Sequence, residues 1–319
     1  MMKKVYSILL CVLLACASLT ACAPSADKSA DGLTIGLIQL VEHPSLDEIR
    51  TAFTAQVEAE AARLGLDIKI DYKNAQADAS LTNSICRQFV DDGVDVIVAI
   101  ATPTAQGAAS ITQSIPIVFS AVTDPVGAGL LTNMAAPEGN ITGTSDAIAV
   151  DRIFDLANEL TPGIQTFGFL YNKGESNSVS VIEQAKAHLD AIGIAYVERV
   201  VTTSGEVQQA ARVLLEESDA IFTPIDNTVA DAMTVLAAEA LAVRKPVYPA
   251  ADSMVNDGGL ATVGVNYTNL GTQTADMAIR VLTGIAVKDI PVEVLTDVGV
   301  VVNPETAAAL GVDVSRYTE

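Results

Sequence analysis

The chain has no tryptophan, only two histidines, and four cysteines, three of which fall within the first 22 residues. These scarcities remove whole classes of chemistry. Beyond residue 22 only Cys86 remains, so the body of the chain can form neither an internal disulfide nor a cysteine-held metal site. Cys86, in LTNSICRQFV, is expected to pack as a small apolar residue on a helix. His188, in QAKAHLDAIG, falls in a helical pattern and is expected to be structural, whereas His43 falls in a loop, QLVEHPS. No Gly-x-Gly-x-x-Gly, Walker loop, Gly-x-Ser-x-Gly or His-Glu-x-x-His motif is present. No nucleophile stands beside a recognisable base, so no catalysis, cofactor or metal is expected. Basic residues are also few, 18 against 39 acidic, for a net charge of −21. Gripping phosphate backbones needs Lys and Arg patches, so nucleic acid is excluded as a partner. The acidity favours solubility and opposes lying flat on anionic lipid.

What is present begins with MMKK, a short basic stretch, followed by VYSILLCVLLACASLTAC, an apolar run ending in small residues. That order is a secretory signal, and its roughly 16 apolar positions fall short of the ~20 that span a bilayer. Leu19-Thr20-Ala21-Cys22 resembles a lipobox, the cleavage site of bacterial lipoproteins. The resemblance implies cleavage before Cys22 and a lipid on its sulfur. LLAC, residues 13–16, also fits the pattern but leaves a short apolar region, so Cys22 is preferred as the lipidation site. Residues 1–21 are then a signal peptide and 22–32 a flexible polar tether. The lipid would attach the protein to the outer face of the cell membrane.

About 300 residues remain, which suits two domains of roughly 150. They alternate between strand and helix patterns. LTIGLIQL, LDIKIDYKNAQ, VDVIVAIA and IPIVFSAVTD read as strands, separated by helical SLDEIRTAFTAQVEAEAARLG, SLTNSICRQFVDDG and PTAQGAASITQ. After NITGTSDAIA the alternation restarts with strands TFGFLYN, IAYVERVV, DAIFTPI, KPVYPAA and LATVGVNY, interleaved with helices, and VGVVVN as a final strand. Unbroken apolar runs such as VIVAIA fit strands covered on both faces, and repeated strand–helix units imply parallel sheets. The halves echo one another. Asp95 stands seven before Thr102 and Asp219 seven before Asp226, and Pro116 and Pro246 each open the next strand. Ser45 with Glu48, Thr203 with Glu206 and Thr228 with Asp231 fit capping boxes.

In open α/β sheets, ligands bind beyond the C-terminal strand ends. Here those exits are QLVEHPS, NAQAD, TPTAQ and SAVTDP in the first half, and NKGESNS, PIDNT and AADS in the second. They hold most of the polar residues that interrupt the apolar strands. Thr102 is expected to cap a helix with Pro103 at its first position, and Asn227 or Thr228 to cap another. Such helix starts suit a carboxylate. Asp226, one residue earlier, fits capping less well and suits an ammonium.

Six segments together carry a family resemblance: NAQAD (74–78), VAIATPTAQ (98–106), PIVFSAVTDPVGAGL (116–130), GNITGTSD (139–146), LYNKGESNS (170–178) and FTPIDNTVA (222–230). The chain resembles the solute-binding lipoproteins of ABC transporters with a type 1 periplasmic-binding fold, in the tryptophan- and aromatic-amino-acid-binding branch of TrpX type. The resemblance implies an α/β fold of two doubly wound parallel-sheet domains joined by a three-strand hinge. It places one lobe at 33–146 plus 268–293 and the other at 147–267 plus 294–319, with crossings near Asp146, Tyr267 and Val294. It implies ligand contacts at Gln39, His43, Thr102, Thr104, Ala121, Thr123 and Asp124 from the first lobe. From the second come Asn172, Glu175, Ser176, Asn177, Asp226, Asn227 and Asp252. Thr102 and Thr104 would take a carboxylate, Asp226 or Glu175 an ammonium, and Phe and Tyr near the rims would wall the side chain. The implied partners are a small solute, an ABC permease and the membrane through the Cys22 lipid; a monomer is expected. A sugar or nucleoside ligand, a sensory role and an anchored enzyme are the alternatives. The lack of tryptophan argues weakly against sugar.

Overall fold

The computed structural model describes residues 32–296 and 298–318. The signal peptide, Cys22 and the tether through residue 31 lie outside the described residues. Among those described, no helix is long and apolar enough to cross a membrane.

The first half is laid out as β1 (Leu33–Gln39), α1 (Pro44–Leu64), β2 (Ile68–Asn74), α2 (Ala79–Asp92), β3 (Val96–Ile100), α3 (Thr102–Ile111), β4 (Ile117–Ser120) and β5 (Ile141–Ser145). The second half runs α4 (Val150–Leu160), β6 (Thr166–Asn172), α5 (Ser176–Ile192), β7 (Ala195–Val201), α6 (Val207–Glu217) and β8 (Ala220–Thr223). It continues with α7 (Asn227–Asp231), α8 (Met233–Ala242), β9 (Val247–Pro249), α9 (Asp252–Asn256) and β10 (Ala261–Val265). Then α10 (Tyr267–Leu282), β11 (Glu293–Val294), β12 (Val298–Val302) and α11 (Pro304–Leu310) complete the chain.

The parallel sheets have the order β11-β5-β4-β3-β1-β2 and β7-β6-β8-β9. Along β2-β1-β3-β4 and β7-β6-β8-β9 the halves share one order, which is the echo seen in the sequence. Its marker residues do matching work. Asp95 accepts the Thr34 backbone N–H at 2.8 Å, and Asp219 accepts that of Thr166 at 2.9 Å. The carbonyls of Pro116 and Pro246 accept from Ile97 and Ile221 at 2.9 and 3.0 Å. Each pair ties a strand start to its neighbour.

Both sheets are buried on two faces, which explains their continuous apolar runs. Ile35, Leu37, Val96 and Val98 meet Ile49, Phe53, Leu270 and Ala278 from α1 and α10. The alternate residues Ile38, Ile97 and Ala99 meet Ile85, Cys86 and Phe89 from α2. Cys86 is fully buried, and burial pushes its thiol up to about 11, so it packs as an apolar group. In the second half Phe167, Phe169, Phe222 and Tyr248 meet Phe154, Ile182 and Leu189 from α4 and α5. His188 stacks on Phe154 at 5.7 Å between ring centroids. The chain passes between the two sheets three times: after β5, between β10 and α10, and after β11, where β10 and β12 pair antiparallel.

Several local expectations are corrected. The α1 start is capped by His43 in extended backbone without a side-chain bond, and Pro44 occupies the first turn. Ser45 instead reaches the Ser253 hydroxyl, and Glu48 accepts from Thr268. Ala101, not Thr102, is the cap of α3. The helix after PIDNT begins after Asp226, whose carboxylate caps Val229, and it breaks at Ala232 into α7 and α8. By contrast Thr203 and Glu206 form the expected capping box ahead of α6. Strands β5 and β11 and helices α4 and α9 were not separately legible as elements.

Candidate functional site

The C-terminal strand ends of the two sheets meet. On the second half, Asp226 organises the rim. Its carboxylate accepts from the backbone N–H of Asn172 at 2.7 Å, the Ser178 hydroxyl at 2.7 Å and the Val229 N–H at 2.8 Å. It thereby fastens the exit of β6, the first turn of α5 and the start of α7 to one point. Glu175 lies beside it and accepts from the N–H groups of Asn227 and Thr228 at 3.1 and 3.0 Å, from Thr228 Oγ1 at 2.9 Å and from Asn227 Nδ2 at 2.5 Å. Burial, reinforced by the Glu175 charge, pushes Asp226 upward.

From the first half, His43 Nε2 meets Asn227 Oδ1 at 3.2 Å. Further contacts tie the halves directly. Ser180 donates to Asp124 at 2.7 Å, Gln106 Nε2 donates to Ser176 at 3.3 Å, and the Ser45 and Ser253 hydroxyls meet.

Enclosed between the halves is a cavity lined by His43, Ser45, Leu46, Ala121, Asp146, Asn177, Ile225, Asp226, Asn227, Ala230, Ala251, Met254 and Tyr267. It contains about 330 Å³ of empty space, but only about 10 Å³ in which the centre of a water molecule fits. The surrounding side chains therefore nearly fill this slot. Four of its lining residues carry a buried polar atom with no partner of good hydrogen-bond geometry: His43 Nδ1, Asp146 Oδ2, Asn177 Oδ1 and the Tyr267 hydroxyl; of these, the Tyr267 hydroxyl and the Asp146 carboxylate lie close enough to act on each other. Buried polar groups are ordinarily satisfied, and each left unpaired costs about 1–3 kcal/mol. Four around one slot are what a polar ligand would complete. Asp146 accepts from Thr123 Oγ1 at 2.8 Å through Oδ1 alone. Burial raises it to about 6, opposed by that hydrogen bond, by its own backbone N–H and by the Tyr267 hydroxyl. Tyr267, facing it, is pushed well up by burial and by the carboxylates around it. His43 is lowered by burial, against the raising influence of Asn227 and Glu175. A larger groove, with about 1550 Å³ of empty space, opens between Asp78, Gln106, Asn172 and Thr203, but it contains none of the unpartnered buried atoms.

The residues expected at the ligand therefore separate. His43, Ala121, Asn177, Asp226 and Asn227 line the slot, while Asn172 and Glu175 reach the outer groove. Thr123 acts one step back, through Asp146. Gln39 spends its side chain on Val41, Asp47 and Arg50 within its own half. The Thr104 hydroxyl donates to the carbonyls of Ile100 and Ala101, so it is not free to donate to a carboxylate. Thr102 is buried with an unpartnered hydroxyl but does not line the slot. Asp124 and Ser176 are engaged in the cross-cleft contacts. Asp252 is half-buried next to lining residue Ala251, bonds the Ser253 N–H, and is raised to about 6 by burial. The carboxylates expected to hold an ammonium, Asp226 and Glu175, already accept bonds at every oxygen. Asp146, not among the expected contacts, also lines the slot, with Thr123 on Oδ1 and the Tyr267 hydroxyl as its other neighbour. The expected aromatic wall is likewise reduced to Tyr267, with Leu46, Ile225, Ala230, Ala251 and Met254 completing it. Asp146 and Tyr267 had a signal as crossing points: the residues at which the chain passes between sheets are also those that the closing halves surround.

A family profile described as ABC transporter substrate binding protein matches residues 34–317. The chain belongs to the ABC transporter substrate-binding proteins. The family is a solute-binding, non-enzymatic class, works outside the cytoplasm and serves an ABC permease. A tyrosine-binding protein from Clostridioides difficile is 37% identical over 318 residues, covering 97% of this chain and 92% of that one. A Streptococcus pneumonia domain crystallised with L-Trp is 36% identical, with a TM-score of 0.85 over 89% of this chain and 96% of that one. A ligand-free, open substrate-binding protein with adhesive properties from Clostridium difficile is 40% identical, yet its TM-score is 0.67, over 88% and 95%. The more identical structure is the less similar in shape. That neighbour is open, whereas the halves here are joined by cross-cleft bonds. A Bacillus halodurans solute-binding protein with bound myo-inositol, 15% identical with a TM-score of 0.65, shares the two-domain type 1 periplasmic-binding fold.

Proposed function

We propose that this substrate-binding protein captures an aromatic L-amino acid in the slot between its lobes and delivers it to an ABC permease. The lobes are taken as 33–146 plus 268–293 and 147–267 plus 294–319, and the molecule as a monomer tethered by a lipid on Cys22. The observation that carries this reading is the convergence on one slot of His43 Nδ1 and Asn177 Oδ1, both buried and unpartnered, with the buried Asp146–Tyr267 pair. A zwitterion supplies both donors and acceptors. Its ammonium goes to Asp146, beside Tyr267. The tyrosine-binding relative and the L-Trp complex support the same ligand class.

The chain's lack of tryptophan supplies the test. With excitation at the red edge, emission comes almost wholly from added L-tryptophan. A blue shift that saturates near one equivalent is expected. Tryptophan and tyrosine should also raise the melting temperature, with ~2.7 kcal/mol of stabilisation at a hundredfold excess over Kd. If neither amino acid shifts the melting temperature, the aromatic amino-acid reading is wrong.

A further inference from the structure

We infer that His43 presents a fixed hydrogen-bond acceptor, Nδ1, to the slot, and that this atom selects ligands whose ring carries an N–H or O–H donor over phenylalanine. The inference rests on the aromatic amino-acid reading above and adds which ring the site prefers.

The argument runs outward from Glu175. Its Oε2 accepts the backbone N–H of Asn227, so that oxygen acts as an acceptor. The same oxygen lies 2.5 Å from Asn227 Nδ2, and an acceptor requires that end of the amide to be the NH₂. The other end, Oδ1, is then a carbonyl, and it faces His43 Nε2 at 3.2 Å. A carbonyl accepts only, so Nε2 carries the proton. In the neutral imidazole, favoured by burial, Nδ1 is then a bare acceptor. Nδ1 is buried and unpartnered, on a residue only 6% exposed that lines the slot. His43 also caps α1 without a side-chain bond, so no helix terminus claims the atom. With the ammonium on Asp146, what remains for Nδ1 is a donor on the ring: the indole N–H of tryptophan or the hydroxyl of tyrosine. Phenylalanine offers none and leaves Nδ1 buried and unpaired. Sites built to bond a ring donor discriminate strongly against an analogue lacking it.

Two measurements test this on the full-length mature protein. The first uses histidine labelled with ¹⁵N in the ring. There are only two histidines, and a His188→Gln variant assigns the signals. The unprotonated nitrogen of His43 should be Nδ1, and it should shift upfield on saturation with tyrosine or tryptophan but not with phenylalanine. A proton on Nδ1, or the same shift with all three, overturns the inference. The second is calorimetry. Wild-type protein should bind tyrosine or tryptophan at least about tenfold more tightly than phenylalanine. His43→Leu also removes the bond to Asn227, so all three ligands should weaken, but tyrosine and tryptophan should lose about tenfold more than phenylalanine and the margin should vanish. An equal fall for all three overturns it. If the variant does not fold, the labelled wild-type protein decides alone. Wild-type binding of all three with one affinity overturns the inference and leaves the aromatic reading standing. Binding of none overturns both.

Discussion

At Asp146 burial and charge pull against each other. The ligand's ammonium needs the carboxylate, whereas burial favours the neutral acid and raises the group to about 6 from 3.8. Affinity should therefore be flat above pH 7 and fall as pH drops through 6, by up to about tenfold per unit. The empty protein should respond in the opposite sense at this group. A carboxyl whose folded pKa is raised contributes stability at low pH that is lost as pH rises through 6. Asp146→Asn should thus flatten the pH dependence of binding, cost about 2–5 kcal/mol of affinity, and raise the melting temperature of the empty protein at pH 8. Titration calorimetry and melting curves between pH 5 and 8 check both signs. A variant that binds as tightly as wild type at pH 8 would remove Asp146 from the ligand. Asp226 differs in kind. It is bonded by three donors from three segments, so Asp226→Ala should lower the stability of the empty protein by about 2–3 kcal/mol, through a lost cap and newly unpaired donors. An unchanged melting temperature would mean that the rim holds without it.

At the scale of elements, the junction of β3 and α3 is where the backbone is strained. Ala101 has φ 84 and ψ 155, a region that glycine occupies and side chains avoid. It is buried, and its N–H donates to the Ser120 carbonyl at 2.9 Å. That bond holds the α3 start beside the β4 exit, and Ala121 there lines the slot. Relieving the strain at no cost in packing beyond one methyl, Ala101→Gly should raise stability by about 1 kcal/mol. A fall in the melting temperature would show that the methyl's packing outweighs the strain. Close packing of α1 on α10 likewise depends on Gly271, because a Cβ there would come within 2.5 Å of the Ile49 carbonyl.

For the whole molecule, the two halves are joined by bonds that no ligand makes. Ser180 to Asp124 is a charge-assisted bond across the cleft, outside the slot. Ser180→Ala should leave each lobe folded and shift the population toward the open form. Ligand affinity should then fall several-fold, with most of the change in the dissociation rate. Small-angle scattering of the empty protein should show a larger radius of gyration than wild type, and identical scattering and affinity would deny the contact any part in closure.

The alternation of apolar strands with amphipathic helices, the doubled architecture and the polar strand exits are local patterns, so the sequence by itself determined the two-sheet fold and the rim on which the site lies. It also determined which chemistries are missing, because a residue type that is absent needs no fold to be excluded. The cap at Asp226 rather than Thr228, and the break at Ala232, depended on what the neighbouring strand exits offered as donors. Which rim residues face a ligand was a matter of tertiary structure alone. Thr104 and Gln39 look like binding residues in the chain, but the folded backbone and Arg50 occupy their hydrogen-bonding groups first. Asp146 looks like a strand end, and only the fold shows it fully buried, with Thr123 on one oxygen and Tyr267 beside it. The type of a polar residue is written in the sequence; whether its bonds are already made is decided by residues far along the chain that folding brings beside it.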